Sequence, residues 1–213
     1  MNDYSFILFL SIREESKMAK RTGEKYEAII NAAVRVIAQY GYHNAQVSKI
    51  AREAKVADGT IYLYFNNKDD VLVSVFTEKM GAFISEAERQ LSKLTSAAEK
   101  LEHLIRLHFL QFEQDRELAI VTQIELRQSN PYVRKGIRDT LRRYTDIIDQ
   151  VVETGIKQGI FRADLDVRIV RRMIFGTLDE MVTSWIMNNY KYSLLEQVET
   201  IHSLFIQGIG ESN

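Results

Sequence analysis

Few residues in this chain combine a reactive type with a useful spacing, and those few do not make an enzyme. There is no cysteine, so no thiolate nucleophile, thiolate metal site or disulfide framework can form, which fits a reducing cytoplasm. His103 and His108 are five apart and leave a helix in different directions, while His43 and His202 lack neighbours at ligand spacing. No nucleophile elbow, phosphate-cradling glycine loop or carboxylate pair occurs. Catalysis, a metal and a bound cofactor are therefore not expected. What stands out is VADGTIYLYFNNKDDVL, Val56 to Leu72, where Tyr62, Tyr64 and Phe65 crowd into barely two turns after Gly59.

On a helix turning about 100° per residue, Ile61 and Phe65 fall on one side. They form a buried back, packing on Ile50 and the preceding helices. Gly59, Thr60 and Leu63 make a nearly flat front, with Tyr62 and Tyr64 on its shoulders. Such a front can enter a DNA major groove while hydroxyls reach phosphates on the groove walls. Gly59 allows close backbone approach, Thr60 can meet base edges or phosphate, and Leu63 suits a thymine methyl. The competing use of both tyrosines is packing between helices.

The surrounding elements support a helical frame. Tyr26, Ile30, Ala33, Ile37 and Tyr40 are spaced 4, 3, 4, 3, one face of a helix that Gly41 stops. Ser48 to Ala54 is a short amphipathic helix, and residues 58–65 form another, with Asp58 expected to cap it. The turn Lys55 to Asp58 between them has helix-turn-helix spacing. Further helices are expected at roughly 69–93, 98–113, 115–128, 131–158, 167–189 and 194–208. Asn130 caps before Pro131, the only proline; Gly159 ends that helix, and Asp164 and Asp166 open the next. No segment alternates as a strand would, so the chain reads as all-α. With 213 residues, 46% hydrophobic and 27% charged, it is an ordinary globular chain.

Other segments carry less. SFILFL, Ser5 to Leu10, falls far short of the ~18 residues a membrane span needs and lacks the features of a secretory signal. Residues 1–18 read as a disordered extension, with Met18 placed as an alternative start. Residues 19–70 hold eight Lys/Arg against six acids, only modestly basic, so specific DNA binding must lean on geometry and dimerisation.

The run YGYHNAQVSKIAREAKVADGTIYLYFNNKDDVL, Tyr40 to Leu72, resembles the amino-terminal domain of TetR-type bacterial transcriptional regulators. The resemblance implies a three-helix DNA-binding domain at 19–70 and a larger helical domain at 71–213 that binds ligand and dimerises. It implies that Ser48 lies near phosphates, that Thr60, Tyr62, Leu63 and Tyr64 occupy the recognition helix, and that Lys68 meets phosphate. The chain departs from the family pattern at Lys55, where the turn usually has Gly. A left-handed lysine there costs on the order of 1 kcal/mol. Its ammonium either faces the DNA or is simply solvated.

AIVTQIELRQSNPYVRKGI and MIFGTLDEMVTSWIMN resemble the acyl-CoA-responsive regulators of fatty-acid degradation of bacilli. That resemblance implies a cytoplasmic homodimer, with no membrane partner, that represses from palindromic double-stranded DNA and is released by long-chain acyl-CoA. Phe109, Phe112, Val121, Ile124, Ile148, Phe175 and Trp185 are compatible, supplying apolar surface for a tail, although a packed core has the same composition. Arg106, Arg127 and the row Arg134, Arg138, Arg142 are candidates for the coenzyme A phosphates, or simply a solvated charged face. Glu125 and Arg127 are expected to pair with each other. The last two helices, apolar on more than one stripe, are expected to form a four-helix dimer interface. Alternatives left open are a regulator of this fold that senses another hydrophobic molecule, such as a drug or quinone, and a non-regulatory acyl-CoA-binding protein or enzyme.

Overall fold

The computed structural model describes residues 23–128 and 130–210. The extension expected at 1–18, and the first residues of the expected DNA-binding unit, lie outside them. Helix α1, Glu24–Tyr40, buries Ile29, Ile30, Ala33 and Ile37, and ends at Gly41 with φ 75°. A short connection leads to α2, Val47–Glu53, and α3, Asp58–Tyr64. In the turn between them Lys55 takes φ 57°, the left-handed conformation that its position implied. Val56 N–H closes back on Ala51 O at 2.9 Å. Asp58 does not cap α3: Ala57 stands at the cap position without a side-chain bond, and Asp58 is already the first helical residue.

Helix α4, Lys68–Leu91, is 24 residues long, ~36 Å at 1.5 Å per residue. Asn67 caps it through Asp70 N–H at 2.8 Å, with Asp69 and Asp70 in the favourable first turn. Its buried residues run from Asp70 to Leu91, so this helix packs along both the first three and the rest. Helix α5 spans Ala97–Gln114. The helix expected at 115–128 is instead three pieces: α6 at Arg116–Ile120, a π-helical turn at Val121–Glu125 and a 3-10 turn at Leu126–Gln128. Thr122 Oγ1 donates to Leu118 O at 2.9 Å, a side-chain bond into the backbone ladder that competes with regular α geometry.

Helix α7, Pro131–Lys157, starts as the Asn130-Pro131 pair implied, with Asn130 Oδ1 accepting from Val133 N–H at 3.1 Å. Gly136 lets α7 approach α4 closely, since a Cβ there would sit 2.7 Å from Val73 Cγ2. Gly159, φ 67°, closes α7. Asp166 caps α8, Val167–Met187, through Arg168 N–H at 2.9 Å. The final helix, α9, Val198–Ile209, is preceded by a 3-10 turn over part of the stretch expected to be helical. Among the described residues the structure is all-α, its one extended pairing being an isolated bridge between Phe161 and Gly210. None of the described helices is long and apolar enough to cross a membrane.

Candidate functional site

Helix α3 separates an anchor from an exposed face within seven residues. Ile61 and Phe65 are buried, and the Phe65 ring stacks on Tyr26 of α1 at 5.5 Å between centroids. On the other side Tyr62 is 50% exposed and Leu63 54%. Gly59 is exposed with nothing within 4 Å of where a Cβ would stand, while Thr60 is half-buried beside it. Tyr64 departs from the shoulder position: it is half-buried, its ring 6.0 Å from Tyr26, and helps pack α3 on α1. Ser48 lies half-buried in the first turn of α2, and Lys55 is exposed in the turn. Lys68 is less available than the sequence implied. Its ammonium donates to Tyr42 O at 2.8 Å and His43 O at 3.1 Å, tying the start of α4 to the chain after α1.

The second feature is a cavity of about 1030 Å³, open to the surface and lined by α4, α5, the 121–128 segment, α7 and α8. Its apolar lining includes Phe76, Met80, Phe112, Leu126, Ile137 and Phe175. Seven arginines also line it, namely Arg127, Arg134, Arg138, Arg142, Arg168, Arg171 and Arg172, against the carboxylates Asp146, Asp149 and Asp179. The excess of cations around an apolar chamber suits an amphiphile with an anionic head. Arg127 binds Asp179 of α8 and donates to Gln123 Oε1 at 3.1 Å. Arg171 pairs with Asp149 at 2.6 Å, while burial raises the Asp149 pKa against that pairing.

Of the sequence candidates, the cavity collects Phe112, Arg127, Phe175 and the row Arg134, Arg138, Arg142. The others take different places. Phe109, Val121 and Ile148 are buried in the core without lining the cavity, and Ile124 is half-buried. Trp185 is a core anchor: its indole donates to Tyr192 O at 2.7 Å and its ring meets Tyr190 at 4.7 Å. Arg106 sits on an exposed face of α5, bound to Glu102 at 3.0 Å. The expected Glu125–Arg127 pair does not form. Glu125 instead accepts Tyr42 N–H at 2.6 Å, because the π-helical turn aims it at the chain after α1. Sequence reasoning missed Arg168, Arg171 and Arg172. Their signal was RIVRR opening a helix without an acid in its first turn, where the helix dipole disfavours cations.

Residues 121–128, with Asn130, touch both features. Thr122, Gln123, Leu126 and Arg127 line the cavity, while Glu125 holds Tyr42 and Asn130 Nδ2 donates to Asp69 Oδ2 at 2.8 Å. The Tyr42 hydroxyl in turn donates to Asp69; burial, with that carboxylate beside it, pushes the phenol pKa up.

A helix-turn-helix with an exposed reading face, joined by one long helix to a chamber of ligand size, defines a ligand-responsive DNA-binding regulator. The chain belongs to the TetR family of bacterial regulatory proteins: residues 29–75 match the model of that family, and residues 76–208 that of the YsiA-like protein C-terminal region. Members of this family are DNA-binding regulators rather than enzymes. The chain is 50% identical to the fatty acid metabolism regulator protein of Bacillus subtilis over 190 residues, 89% of this chain and 98% of that protein. Among solved structures it resembles the transcriptional regulator FadR from Bacillus subtilis in complex with stearoyl-CoA, with 51% identity and a TM-score of 0.84 over 86% of this chain and 99% of that one. The fatty acid degradation regulator FadR from Bacillus halodurans is similar, with 52% identity and a TM-score of 0.83 over 86% of this chain and 99% of that one.

Proposed function

We propose that this chain is a cytoplasmic, homodimeric repressor of fatty-acid degradation genes, released from a palindromic operator by long-chain acyl-CoA. The observation that carries this reading is the cavity, apolar within and lined by arginines. An acyl tail matches the phenylalanines, and coenzyme A phosphates match the cations; a neutral drug or quinone would leave those charges unused. The relative that binds stearoyl-CoA covers most of this chain at 51% identity. Residues 19–70 form the DNA-binding unit, and residues 71–213 bind ligand and dimerise. Tyr62, Leu63, Thr60 and Gly59 meet the groove, with Ser48, Lys55, Tyr64 and Lys68 supporting phosphate contact and docking. Exposed Ile169 and Met173 on α8 and Leu204 on α9 supply apolar surface for a second copy.

Release follows from the segment shared by both features. Phosphates that engage Arg127 compete with its bond to Asp179, and a tail between Phe76, Met80 and Phe175 bears on α4. Movement of either element reaches Asp69, Tyr42 and Lys68, and through them the spacing of two α3 helices that must lie ~34–36 Å apart on DNA. A coupling of about 1–3 kcal/mol between the two sites is enough for an inducer. Native mass spectrometry of the protein purified from its host tests the reading: a dimer carrying long-chain acyl-CoA is expected. A bound hydrophobe without phosphates would refute it.

A further inference from the structure

One polar pair inside the cavity has no task in the recognition of phosphates and tail. His108 on α5 and Tyr144 on α7 both line the chamber and are both buried, His108 with 3% exposure. The Tyr144 oxygen lies 2.8 Å from His108 Nδ1, and Phe112 packs edge-on against the imidazole at 5.1 Å. The other ring nitrogen, Nε2, is shut off from solvent and has no hydrogen-bond partner among the described residues.

Proton accounting fixes what Nε2 offers. Were Nδ1 protonated, it would donate to the phenol oxygen and leave both the phenolic O–H and the Nε2 lone pair unmatched. With the phenol donating to Nδ1, the neutral ring leaves one unmatched group, an Nε2–H donor, and buried groups favour the arrangement with fewer orphans. Burial also holds the ring at a pKa of about 3, so it stays neutral. An orphaned N–H on a buried ring that lines the chamber is costly until a ligand brings an acceptor.

A saturated acyl chain has no acceptor, and the phosphates have the arginines. Of the acceptors that remain, the amide carbonyls of the carrier arm lie toward the head, and the thioester carbonyl is the one that borders the tail. The cavity lining of α7 runs from Arg134 to Asp149, which is paired with Arg171, and Tyr144 lies between those cationic ends. We propose that His108 Nε2–H donates to the thioester carbonyl oxygen, with Tyr144 as the positioning residue that holds the imidazole tautomer. The cavity then reads the linkage itself as well as head and tail. A free fatty acid lacks the phosphates that engage the arginines. This inference rests on the acyl-CoA reading and deepens it.

The test compares stearoyl-CoA with S-octadecyl-CoA, a thioether with a matching chain and no carbonyl, by direct binding. The unmodified protein should bind the thioester roughly tenfold more tightly, equivalent to about 1.4 kcal/mol. That preference should stay constant between about pH 6 and 8, since the ring does not titrate there. His108→Phe should abolish the preference and Tyr144→Phe should reduce it. Equal or tighter thioether binding by the unmodified protein overturns the inference without any variant, as does a preference that survives in His108→Phe. Binding of neither ligand would overturn the acyl-CoA reading, and this inference with it.

Discussion

Helix α3 and the cavity hold their recognition groups by opposite means. In α3 the exposed Tyr62 and Leu63 and the buried Ile61 and Phe65 are chain neighbours, so one short segment both docks itself and presents its front. In the cavity, Phe76, Phe112, Arg127, Arg134 and Phe175 arrive from five different elements. The reading face depends on local geometry. The chamber depends on how helices lie against one another, so anything that fills it is felt by all of them. A sensor needs that second property and a DNA reader needs the first. The 121–128 segment joins the two, with Arg127 on one side and Glu125 on the other.

The sharpest way to break this contrast is to remove the anchor of α3. Phe65→Ala should cost about 3–5 kcal/mol in a denaturant titration, because a fully buried ring stacked on Tyr26 is lost. Operator binding should fall with it. A small change in midpoint would show that α3 is held by something other than its own back face.

Next in size is Arg127→Ala. Acyl-CoA affinity, measured calorimetrically, should drop by about 1.5–3 kcal/mol, the scale of a hydrogen bond to a charged group. Operator binding without ligand should weaken only in part, since the bond to Asp179 is lost but no tail bears on α4. Unchanged acyl-CoA affinity would move the phosphate site to the arginines of α8. By contrast Tyr62→Ala, at a half-exposed position, should leave stability within about 0.5 kcal/mol and weaken operator binding by about 1–3 kcal/mol. An unaltered operator affinity would remove Tyr62 from the interface. The smallest effect is Lys55→Gly, which should raise stability by about 0.4–1 kcal/mol by relieving the left-handed lysine at φ 57°. A lowered denaturant midpoint would mean that Lys55 makes a compensating contact.

The same contrast explains what the sequence disclosed. Caps and stops depend on near neighbours, so Asn130-Pro131, Asp166, Gly41 and Gly159 were legible, whereas the left-handed Lys55 was suggested by the family resemblance. So was the split of α3 into Ile61 and Phe65 against Leu63, by helical period alone. The π-helical turn at Val121–Glu125 was not, since its apolar pattern also fits a plain helix. Its consequence, Glu125 turned to Tyr42 and Arg127 to Asp179, was hidden with it. Phe109, Ile148 and Trp185 are of the same apolar kind as Phe112 and Phe175, and only packing decides which face the cavity. His108 and Tyr144 are 36 residues apart, so nothing local announced their bond.

On the proposed function, an amphiphile in the cavity governs the hold of α3 on DNA. Titrating the operator complex with stearoyl-CoA, free stearate and free coenzyme A, each alone, tests it most directly. Release by stearoyl-CoA is expected, with neither fragment effective at the same concentration. Release by stearate at equal potency, or no release by the intact thioester, would contradict it.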